Sequence, residues 1–388
     1  MQKTNGNEVD LSIDTLMAEA CRSANLGGWG DDDFREPLSR LIECFLDQYG
    51  ATDKRMKKVS FRNALRAILT NRLYIQHNFE SFPRILAVPI KNPLFIVGLA
   101  RTGSTLLHRL LAQDDACRVL KYWEMHYPFF GPNLGLNHEV LSIRLAELKI
   151  KEIYSRFPDL LHIHETKAAD PEECELLMRH SFCSVTFASE WCLPGYARWL
   201  IQEDMTACYR YFRKLLQLLL WCKPANFPVL KCSFHLLNLH TVLELFPDAN
   251  ILWLHRSPLE AIPSSLSLLS VLLGDERRSK QFVEFILDYS VRLIERGMEV
   301  EKRSNQRQFL NMNYRELVRD PLAAIFKIYD HFQYTIDSNM ETNIRNWLEK
   351  NPRHKHGVHH YRLEDFGLRE ADVRERFTAY FDQYGHLL

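Results

Sequence analysis

Apolar residues recur at helical spacing along residues 10–88. Leu38, Leu41, Ile42 and Phe45 show the pattern, in which apolar positions lie three or four residues apart and polar positions fall between them. This period brings the apolar side chains onto one face of an α-helix. The pattern predicts that the start of the chain is mainly helical.

Four short apolar runs later in the chain have the length of buried strands. They are Leu94–Val97, Pro228–Cys232, Ala249–His255 and Phe309–Met312. Helical patterns lie between and around them, at residues 104–113, 140–156, 171–181, 204–222, 236–246 and 280–303. Strands that alternate with helices are typical of a parallel sheet covered by helices.

The order of these elements predicts an α/β fold with a central parallel sheet flanked by helices. Residues 1–90 are expected to form a helical N-terminal region packed on a main domain, which residues 91–388 form with helical insertions. Ligands of such folds bind at the carboxyl ends of the strands. Arg101 follows the first strand, Lys231 lies on the second and Arg256 follows the third. These cations are therefore expected to meet at one edge of the sheet.

Composition and charge narrow the classes of function. Hydrophobic residues make up 46% of the 388 residues and charged residues 25%, as in ordinary globular proteins, and the formal net charge is zero. A balanced charge does not favour broad attraction to nucleic acid or to an anionic membrane. Any anion site must be built locally, and a small molecule is the expected partner.

The cysteines and the apolar runs indicate a cytoplasmic protein. The nine cysteines are odd in number and include no Cys-x-x-Cys pair, which predicts free thiols and neither a disulfide framework nor a zinc site. The first residues have no apolar secretory core, and stretches such as Leu215–Trp221 are too short to span a bilayer. No metal is expected, and the oligomeric state, a homodimer included, stays open.

The segment Gly98-Leu-Ala-Arg-Thr-Gly-Ser-Thr105 follows the first strand and precedes a helix. Glycines let the backbone curl round an anion, a helix N-terminus offers N–H groups, and Arg101 adds a cationic fork. An ordinary turn is the alternative for this loop alone. The loop also lacks the Gly-Lys-[Ser/Thr] ending of nucleotide triphosphatases.

Two further basic segments could complete a phosphate site. Arg256 follows a buried strand, where an unpaired charge is costly, and Ser264 stands eight residues later on a predicted helix. An ion pair with Glu260 is the alternative for Arg256. The segment Arg353–Gly357 is a basic loop with a glycine, for which an exposed loop without a ligand is the alternative.

Together and in this order, these segments resemble the bacterial branch of the sulfotransferases that use 3′-phosphoadenosine-5′-phosphosulfate (PAPS). The likeness includes FIVGLARTGSTLLHRLLAQD, DPEECELL, VLKCSFHLLNLHTVLELFPDANILWLHRSP and NPRHKHGVHHYRLEDFG, and it covers most of residues 91–388. The resemblance implies a P-loop-like fold. It also implies transfer of a sulfonate group from PAPS to an acceptor, with adenosine 3′,5′-bisphosphate as the product.

The resemblance assigns roles residue by residue. It places the 5′-phosphosulfate on the loop after the first strand and the 3′-phosphate on Arg256 and Ser264, with the late basic loop and the NYRELVRDP segment completing the site. The cofactor-binding residues that it implies are Arg101, Thr102, Gly103, Ser104, Thr105, Arg256, Ser264, Tyr314, Arg353, Lys355, His356 and Gly357. Arg101 stands where the cytosolic animal enzymes carry lysine.

The catalytic base is left open among several residues. Sulfuryl transfer is an in-line displacement at sulfur, so the protein must align the reactants, stabilise the leaving phosphate and take a proton from the acceptor. His235 is the first candidate base, although it stands four residues after Lys231, whereas the animal enzymes have Lys-x-His. The other candidates are His164, Glu165, Glu172 and Glu173. Arg101 is expected to meet the charge on the leaving phosphate, and Lys231 to bind the sulfonate or the bridging oxygen.

The acceptor pocket is expected in aromatic-rich segments at 123–126, 127–130 and 187–199, although aromatic residues are also ordinary core material. The candidate acceptor-binding residues are Trp123, Glu124, His126, Glu165 and Glu173. A hydroxyl or amine of a small specialised metabolite is the expected acceptor. Two other functions stay open: a P-loop-type kinase, and a non-catalytic nucleotide-binding protein of the same fold.

Overall fold

The computed structural model describes residues 9–52, 54–129, 136–273, 280–352 and 361–388. The chain divides into two units. The first comprises Met1–Val88, Tyr127–Gly135 and Leu176–Cys222, and the second comprises Pro89–His126, Leu136–Glu175 and Lys223–Leu388. The region predicted to be N-terminal and helical therefore shares a unit with two later segments.

Helices dominate the described ranges. The α-helices are α1 (Ile13–Ala24), α2 (Arg35–Tyr49), α3 (Arg55–Ser81), α4 (Ser104–Leu111), α5 (Tyr122–His126), α6 (Leu136–Arg156), α7 (Leu160–Ile163), α8 (Thr186–Trp191), α9 (Pro194–Leu200), α10 (Thr206–Cys222), α11 (Leu239–Leu245), α12 (Pro258–Leu273), α13 (Lys280–Arg303), α14 (Tyr314–Arg319), α15 (Pro321–Phe332), α16 (Met340–Lys350), α17 (Glu370–Arg376) and α18 (Thr378–Tyr384). Short 3-10 helices occupy Pro83–Ala87, Cys174–Ser181, Ser233–Asn238, Gln306–Gln308, Leu363–Phe366 and Gly385–Leu387. None of the helices in the described ranges combines the length and apolarity needed to cross a lipid bilayer.

The regular secondary structure in the described parts of the first unit is helical, and the helices predicted along residues 10–88 are confirmed. Phe45 of α2 and Phe61 of α3 stack with their ring centroids 3.8 Å apart. Arg72 of α3 is buried, and its guanidinium carbon lies 4.0 Å from the ring centroid of Phe34 and 4.3 Å from that of Tyr211. Burial lowers the pKa of Arg72, and the two aromatic faces offset part of that cost.

The second unit contains the predicted parallel sheet, which is confirmed with one additional strand. Its strands are β1 (Leu94–Gly98), β2 (Cys117–Val119), β3 (Phe227–Lys231), β4 (Asn250–His255) and β5 (Phe309–Asn313), in the order β2-β3-β1-β4-β5. The register pairs Ile96 of β1 with Lys231 of β3, and Gly98 of β1 with Leu254 of β4. The carboxyl ends of β3, β1 and β4 therefore lie side by side, which brings the three predicted cationic segments to one edge.

The edge strand β2 is missing from the sequence prediction because it is short and its central residue is Arg118. That arginine is buried, and it donates to both carboxylate oxygens of Glu124 in α5, at 2.7 and 3.0 Å. The backbone N–H of Lys121 donates to the same carboxylate at 2.9 Å. Glu124, expected to bind the acceptor, is thus held in a buried ion pair that joins β2 to α5.

The prediction of a helix that begins at Pro171 is wrong. Pro171 forms an isolated bridge with Lys121, and the backbone N–H of Glu172 donates to the carbonyl oxygen of Leu120 at 3.1 Å. A 3-10 helix begins only at Cys174. The acids that looked like residues of a first helical turn lie outside any helix, and their carboxylates lie near Lys231 at the end of β3.

The Arg118–Glu124 pair gives a prediction for stability. We expect Glu124→Gln to lower the free energy of unfolding by roughly 3 kcal/mol, because it leaves a buried guanidinium without its counter-charge. Chemical denaturation measures the change. The matched control is Glu341→Gln, which breaks an exposed pair with Arg345 on α16 and should cost less than about 0.5 kcal/mol. Unchanged stability with a higher KM for the acceptor would instead support the acceptor-binding role.

Candidate active site

The loop after β1 is shaped by two glycines and by close contacts with its neighbours. Gly98 has a φ of 145°, and a Cβ at this position would lie 2.5 Å from the carbonyl oxygen of Leu254. Gly103 has a φ of 84° and precedes α4, and a Cβ there would lie 2.9 Å from the ring of Tyr314. Arg101 has a φ of 71°, and such strained residues concentrate at functional sites. The loop is therefore held tightly against β4 and α14.

Arg256 and Ser264 both bond to this loop. Nη1 of Arg256 donates to the carbonyl oxygen of Arg101 at 2.7 Å, and Nε of Arg101 donates to Oγ of Ser264 at 3.1 Å. The guanidinium carbon of Arg256 lies 4.4 Å from the ring centroid of Tyr314. Four residues predicted from separate sequence segments are thereby brought together at the carboxyl ends of β1 and β4.

Four charged residues at this end of the sheet, which we call the arginine cluster, have more positive than negative charge: Arg101, Arg256, Arg315 and Glu260. Glu260 accepts from Nε of Arg256 at 3.0 Å and from Arg315 at 3.1 Å, so the ion pair considered from the sequence is present. Burial lowers the pKa of Arg101; the Tyr361 hydroxyl opposes this effect and the Arg256 guanidinium reinforces it. A single carboxylate among three guanidinium groups leaves a site that an anion would stabilise.

The start of α4 adds backbone donors to the same place. Ser104 is its first residue, no side chain caps its N-terminus, and Ser104 and Thr105 are half-buried. Uncapped N–H groups at a helix start bind anions well. Thr102 differs, because its buried hydroxyl donates to the carbonyl oxygen of Leu99 at 2.8 Å. Its side chain stabilises the turn, and its backbone N–H is the group that could face a ligand.

A second set of side chains lies at the end of β3, on the other side of β1. Nζ of Lys231 lies 2.8 Å from Oε1 of Glu173 and 3.9 Å from Oε1 of Glu172. Oε2 of Glu172 lies 3.0 Å from Nε2 of His164, and the Thr166 hydroxyl donates to it at 3.4 Å. We call Lys231, Glu172, Glu173 and His164 the lysine cluster.

The charges of the lysine cluster support one another. Burial opposes the charged form of Lys231, but Glu173 and Glu172 outweigh it and raise the pKa of Lys231. Burial would likewise raise the pKa of Glu172, but His164 and Lys231 outweigh it and hold that pKa well below its usual range. An ionised Glu172 can accept a hydrogen bond from the Nε2–H of His164 at 3.0 Å, and in the tautomer that donates this bond the proton-free nitrogen is Nδ1.

His235 lies in a different environment. It belongs to the 3-10 helix after β3 and is fully buried, with Nε2 3.1 Å from Sγ of Cys174 and its ring edge-on to Phe95. Burial lowers the pKa of His235 to about 3. The ring is therefore neutral near pH 7 and packed in the core, whereas His164 is partly exposed.

His108 is a residue that the sequence did not single out. It lies on the buried face of α4, one turn after Ser104, and bonds to the backbone of Val229 in β3. Burial, and then the charge of Lys231, lower its pKa to about 3. Its Nε2 has no hydrogen-bond partner within the described residues. The available signal in the sequence was its position four residues after Ser104, since this spacing places the two side chains on the same side of the helix that follows the loop.

The other residues expected to bind the acceptor are dispersed. Trp123 is buried and Glu124 is paired with Arg118, as described above, whereas His126 is half-buried at the end of α5. Glu165 forms an ion pair with Lys167 at 3.1 Å. Of the five candidates, Glu173 is the one that lies in the lysine cluster.

The remaining predicted segments differ in how far the structure describes them. The aromatic residues at 187–199 belong to the first unit, where the buried Phe187 contacts Phe182 and Tyr196. Phe130 and the cofactor candidates Arg353, Lys355, His356 and Gly357 lie outside the described residues. Among the side chains that the structure does describe, no group of three or more His, Cys, Asp or Glu residues could hold a metal ion.

Known proteins with a similar sequence are sulfotransferases. Residues 93–338 match the model of the sulfotransferase family. Two curated relatives are the omega-hydroxy-beta-dihydromenaquinone-9 sulfotransferases Stf3 of Mycobacterium bovis and Mycobacterium tuberculosis. Each is 23% identical to this chain over 310 residues, which cover 76% of this chain and 75% of the relative.

Two crystal structures share the fold along nearly the whole chain. Sulfotransferase STF1 from Mycobacterium tuberculosis H37Rv has a TM-score of 0.80 at 29% identity and covers 96% of this chain and 100% of its own. Sulfotransferase STF9 from Mycobacterium avium has a TM-score of 0.83 at 26% identity and covers 98% of both chains. Because the family model matches more than half of the chain and these structures share its fold, the protein belongs to the sulfotransferase family, in its bacterial branch.

Proposed function

We propose that this sulfotransferase takes its sulfonate group from PAPS. The observation that carries the proposal is the arginine cluster, in which Arg101 bonds to Ser264 and Arg256 bonds back to the carbonyl oxygen of Arg101. PAPS has phosphate groups on both the 5′ and the 3′ positions of one ribose. Two cations that follow adjacent strands, with an excess of positive charge between them, fit a ligand that is phosphorylated twice.

The proposed roles follow from the positions of these groups. Arg101 and the N–H groups of residues 102–105 hold the 5′-phosphate, where negative charge develops as the bond between sulfur and the phosphate oxygen breaks. Arg256 and Ser264 hold the 3′-phosphate, with Tyr314 packed under the Arg256 guanidinium. We also propose that the loop at 353–357 contributes to cofactor binding, as expected from the sequence. Tyr361, the first described residue after that loop, is close enough to Arg101 to affect its pKa.

Binding of adenosine 3′,5′-bisphosphate tests the donor. We expect calorimetry without magnesium to detect binding, and Arg256→Ala to weaken it by about 50-fold, because a charge-assisted contact to the 3′-phosphate is lost. The same variant should weaken adenosine 5′-phosphosulfate, which lacks the 3′-phosphate, by only about fivefold, because this ligand loses just the support that Arg256 gives to the Arg101 carbonyl. The matched control is Arg345→Ala, which removes an exposed arginine of α16.

Two results would contradict the donor assignment. Equal losses for the two nucleotides would remove the 3′-phosphate role from Arg256. Magnesium-dependent binding of ATP without binding of the bisphosphate would favour the kinase alternative, since kinases bind their phosphates through a metal ion.

We further propose that the acceptor is a small apolar molecule with a hydroxyl group. The curated relatives are named for a hydroxylated dihydromenaquinone, and the aromatic residues near α5 suit an apolar acceptor. A hydroxyl group fits the lysine cluster, because it has a proton that His164 could take. An amine is the alternative acceptor group, and a cytoplasmic location and a role in specialised metabolism, both expected from the sequence, complete the proposal.

A series of primary alcohols of increasing chain length tests the acceptor class. We expect kcat/KM to rise by up to about threefold for each added methylene until the pocket is filled, because each buried methylene adds transfer free energy. Mass spectrometry detects the addition of one sulfonate. A preference for sugars or charged amines over the long alcohols would contradict the apolar class. Binding of the bisphosphate with no product from any acceptor would favour a non-catalytic binding protein.

We propose His164 as the general base of the reaction. Its Nδ1 takes the proton of the acceptor hydroxyl as the acceptor oxygen bonds to sulfur, and Glu172 stabilises the imidazolium that forms. Lys231, held by Glu173, faces the sulfonate oxygens as a cation. His235 was the first candidate from the sequence, but its burial and its low pKa leave it without access to a proton on a substrate.

Replacing each histidine separates the two candidates. We expect His164→Gln to lower kcat by about 100-fold or more, and a phenol acceptor of lower pKa to recover part of the rate, because its proton needs less help to leave. His235→Gln should lower stability and leave kcat within about threefold. If Glu173→Gln abolished the rate while His164→Gln did not, Glu173 would replace His164 as the base.

A further inference from the structure

Helix α6 has a buried face and, on another side, an exposed apolar stripe. Ser142, Ala146 and Ile150 lie four residues apart on the face that is buried in the second unit, where α6 contacts α5. The exposed side has leucines at positions 141, 145 and 148, which are 54%, 39% and 64% exposed. These positions are four and three residues apart, so they form one stripe along the helix. The packing of the second unit explains only the buried face.

Basic residues border this stripe on both sides. By helical spacing, Arg144 and Lys151 lie along one side, and Lys149 and Arg156 along the other. Arg144, Lys151 and Arg156 are exposed, and no carboxylate pairs with them in the described chain. We call the stripe and these four residues the α6 face.

The acidic residues of α6 do not cancel this arrangement. Glu139 and Glu147 lie further round the helix, away from the stripe. Glu152 lies on the line of the stripe, four residues after Leu148, and so places one carboxylate at the C-terminal end of the stripe against four basic residues along its borders. A helix with an exposed apolar stripe between two basic borders has the pattern of helices that lie in the plane of a membrane interface. The zero net charge of the whole chain excludes attraction over the entire surface, and it says nothing about one helix face.

We propose that the α6 face docks the enzyme on an anionic lipid surface. The three leucines enter the boundary between headgroups and acyl chains, and the borders lie level with the lipid phosphates. Long basic side chains extend their charged ends to the headgroups while their stems stay against apolar surface. The inference concerns where the enzyme works and goes beyond the reaction proposed above.

A second copy of the chain fits the same face less well. A two-fold dimer would bring the face against itself, so the basic borders of one copy would meet those of the other. Like charges that face each other across an interface are unfavourable. Three leucines also make a small patch compared with the roughly 800 Å² that each partner buries in a stable interface. Anionic lipid complements the borders and does not require a large patch.

The position of the α6 face suits an enzyme with an apolar acceptor. A pocket of about 630 Å³ lies along one border of the face, where Lys151 and Ser155 form part of its wall. Thr166 lines the same pocket and donates to Glu172 of the lysine cluster. Docking through α6 would therefore bring the bilayer beside the residues proposed for proton transfer. This step alone rests on the proposed function.

Sedimentation with lipid vesicles tests the proposal without depending on the reaction. We expect the full-length protein to bind vesicles of phosphatidylglycerol and phosphatidylcholine, and to bind vesicles of phosphatidylcholine alone much less. Leu145→Glu with Leu148→Glu should lower the bound fraction by about tenfold, because apolar area and charge complementarity are both lost. Added salt should weaken the binding of the unchanged protein.

A matched control separates the face from a general charge effect. Met56→Glu with Ile336→Glu adds the same two charges at exposed apolar positions elsewhere, and it should leave binding unchanged. All four substituted side chains are exposed, so we expect each double variant to melt like the parent protein. Failure to bind the anionic vesicles, or equal loss with both double variants, would overturn the proposal. Self-association that the leucine variant alone abolishes, without vesicle binding, would assign the face to a second copy.

Discussion

The hydrogen bond from Arg256 to the carbonyl oxygen of Arg101 is the contact on which the arrangement of the site depends. It joins the residue after β4 to the loop after β1, so the two strand ends hold each other in place. The loop carbonyl can accept this bond because Gly98 brings the backbone against β4, at a distance that leaves no room for a Cβ. Arg101 is then oriented so that its own Nε reaches Ser264 on α12. One bond thereby positions both cations of the proposed donor site.

The two clusters on either side of β1 differ in their charge. The arginine cluster has three guanidinium groups and one carboxylate, so it gains from an anion. In the lysine cluster, Lys231 lies between two carboxylates, and one of these orients a histidine. Neighbouring strands are about 4.8 Å apart, so the two charge patterns lie close together. The first pattern suits a leaving phosphate and the second suits the movement of a proton, and sulfuryl transfer requires both.

The sequence predicted features that depend on neighbouring residues and missed those that depend on distant ones. The strands other than β2, helix α4 and the partners Arg101, Arg256 and Ser264 follow from local patterns and from the order of parallel strands. Glu172 and Glu173 were placed in a helix, since Asp170-Pro171 followed by acids is the usual start of one. In the structure this stretch is not helical, because Pro171 bridges to Lys121 and the N–H of Glu172 donates to Leu120. That contact cannot be seen in the sequence, as its two sides lie about 50 residues apart.

The neutral charge of the chain and the basic borders of α6 illustrate how an average can conceal a local pattern. A protein can be attracted to a membrane through a single surface on which basic side chains border apolar ones. Acidic residues that lie further from this surface than a Debye length do not weaken the attraction. For an apolar acceptor such a surface has a kinetic consequence. The acceptor partitions into the bilayer, so an enzyme that docks there meets it at a high effective concentration. An enzyme in free solution would meet little of it, however well its active site bound the acceptor.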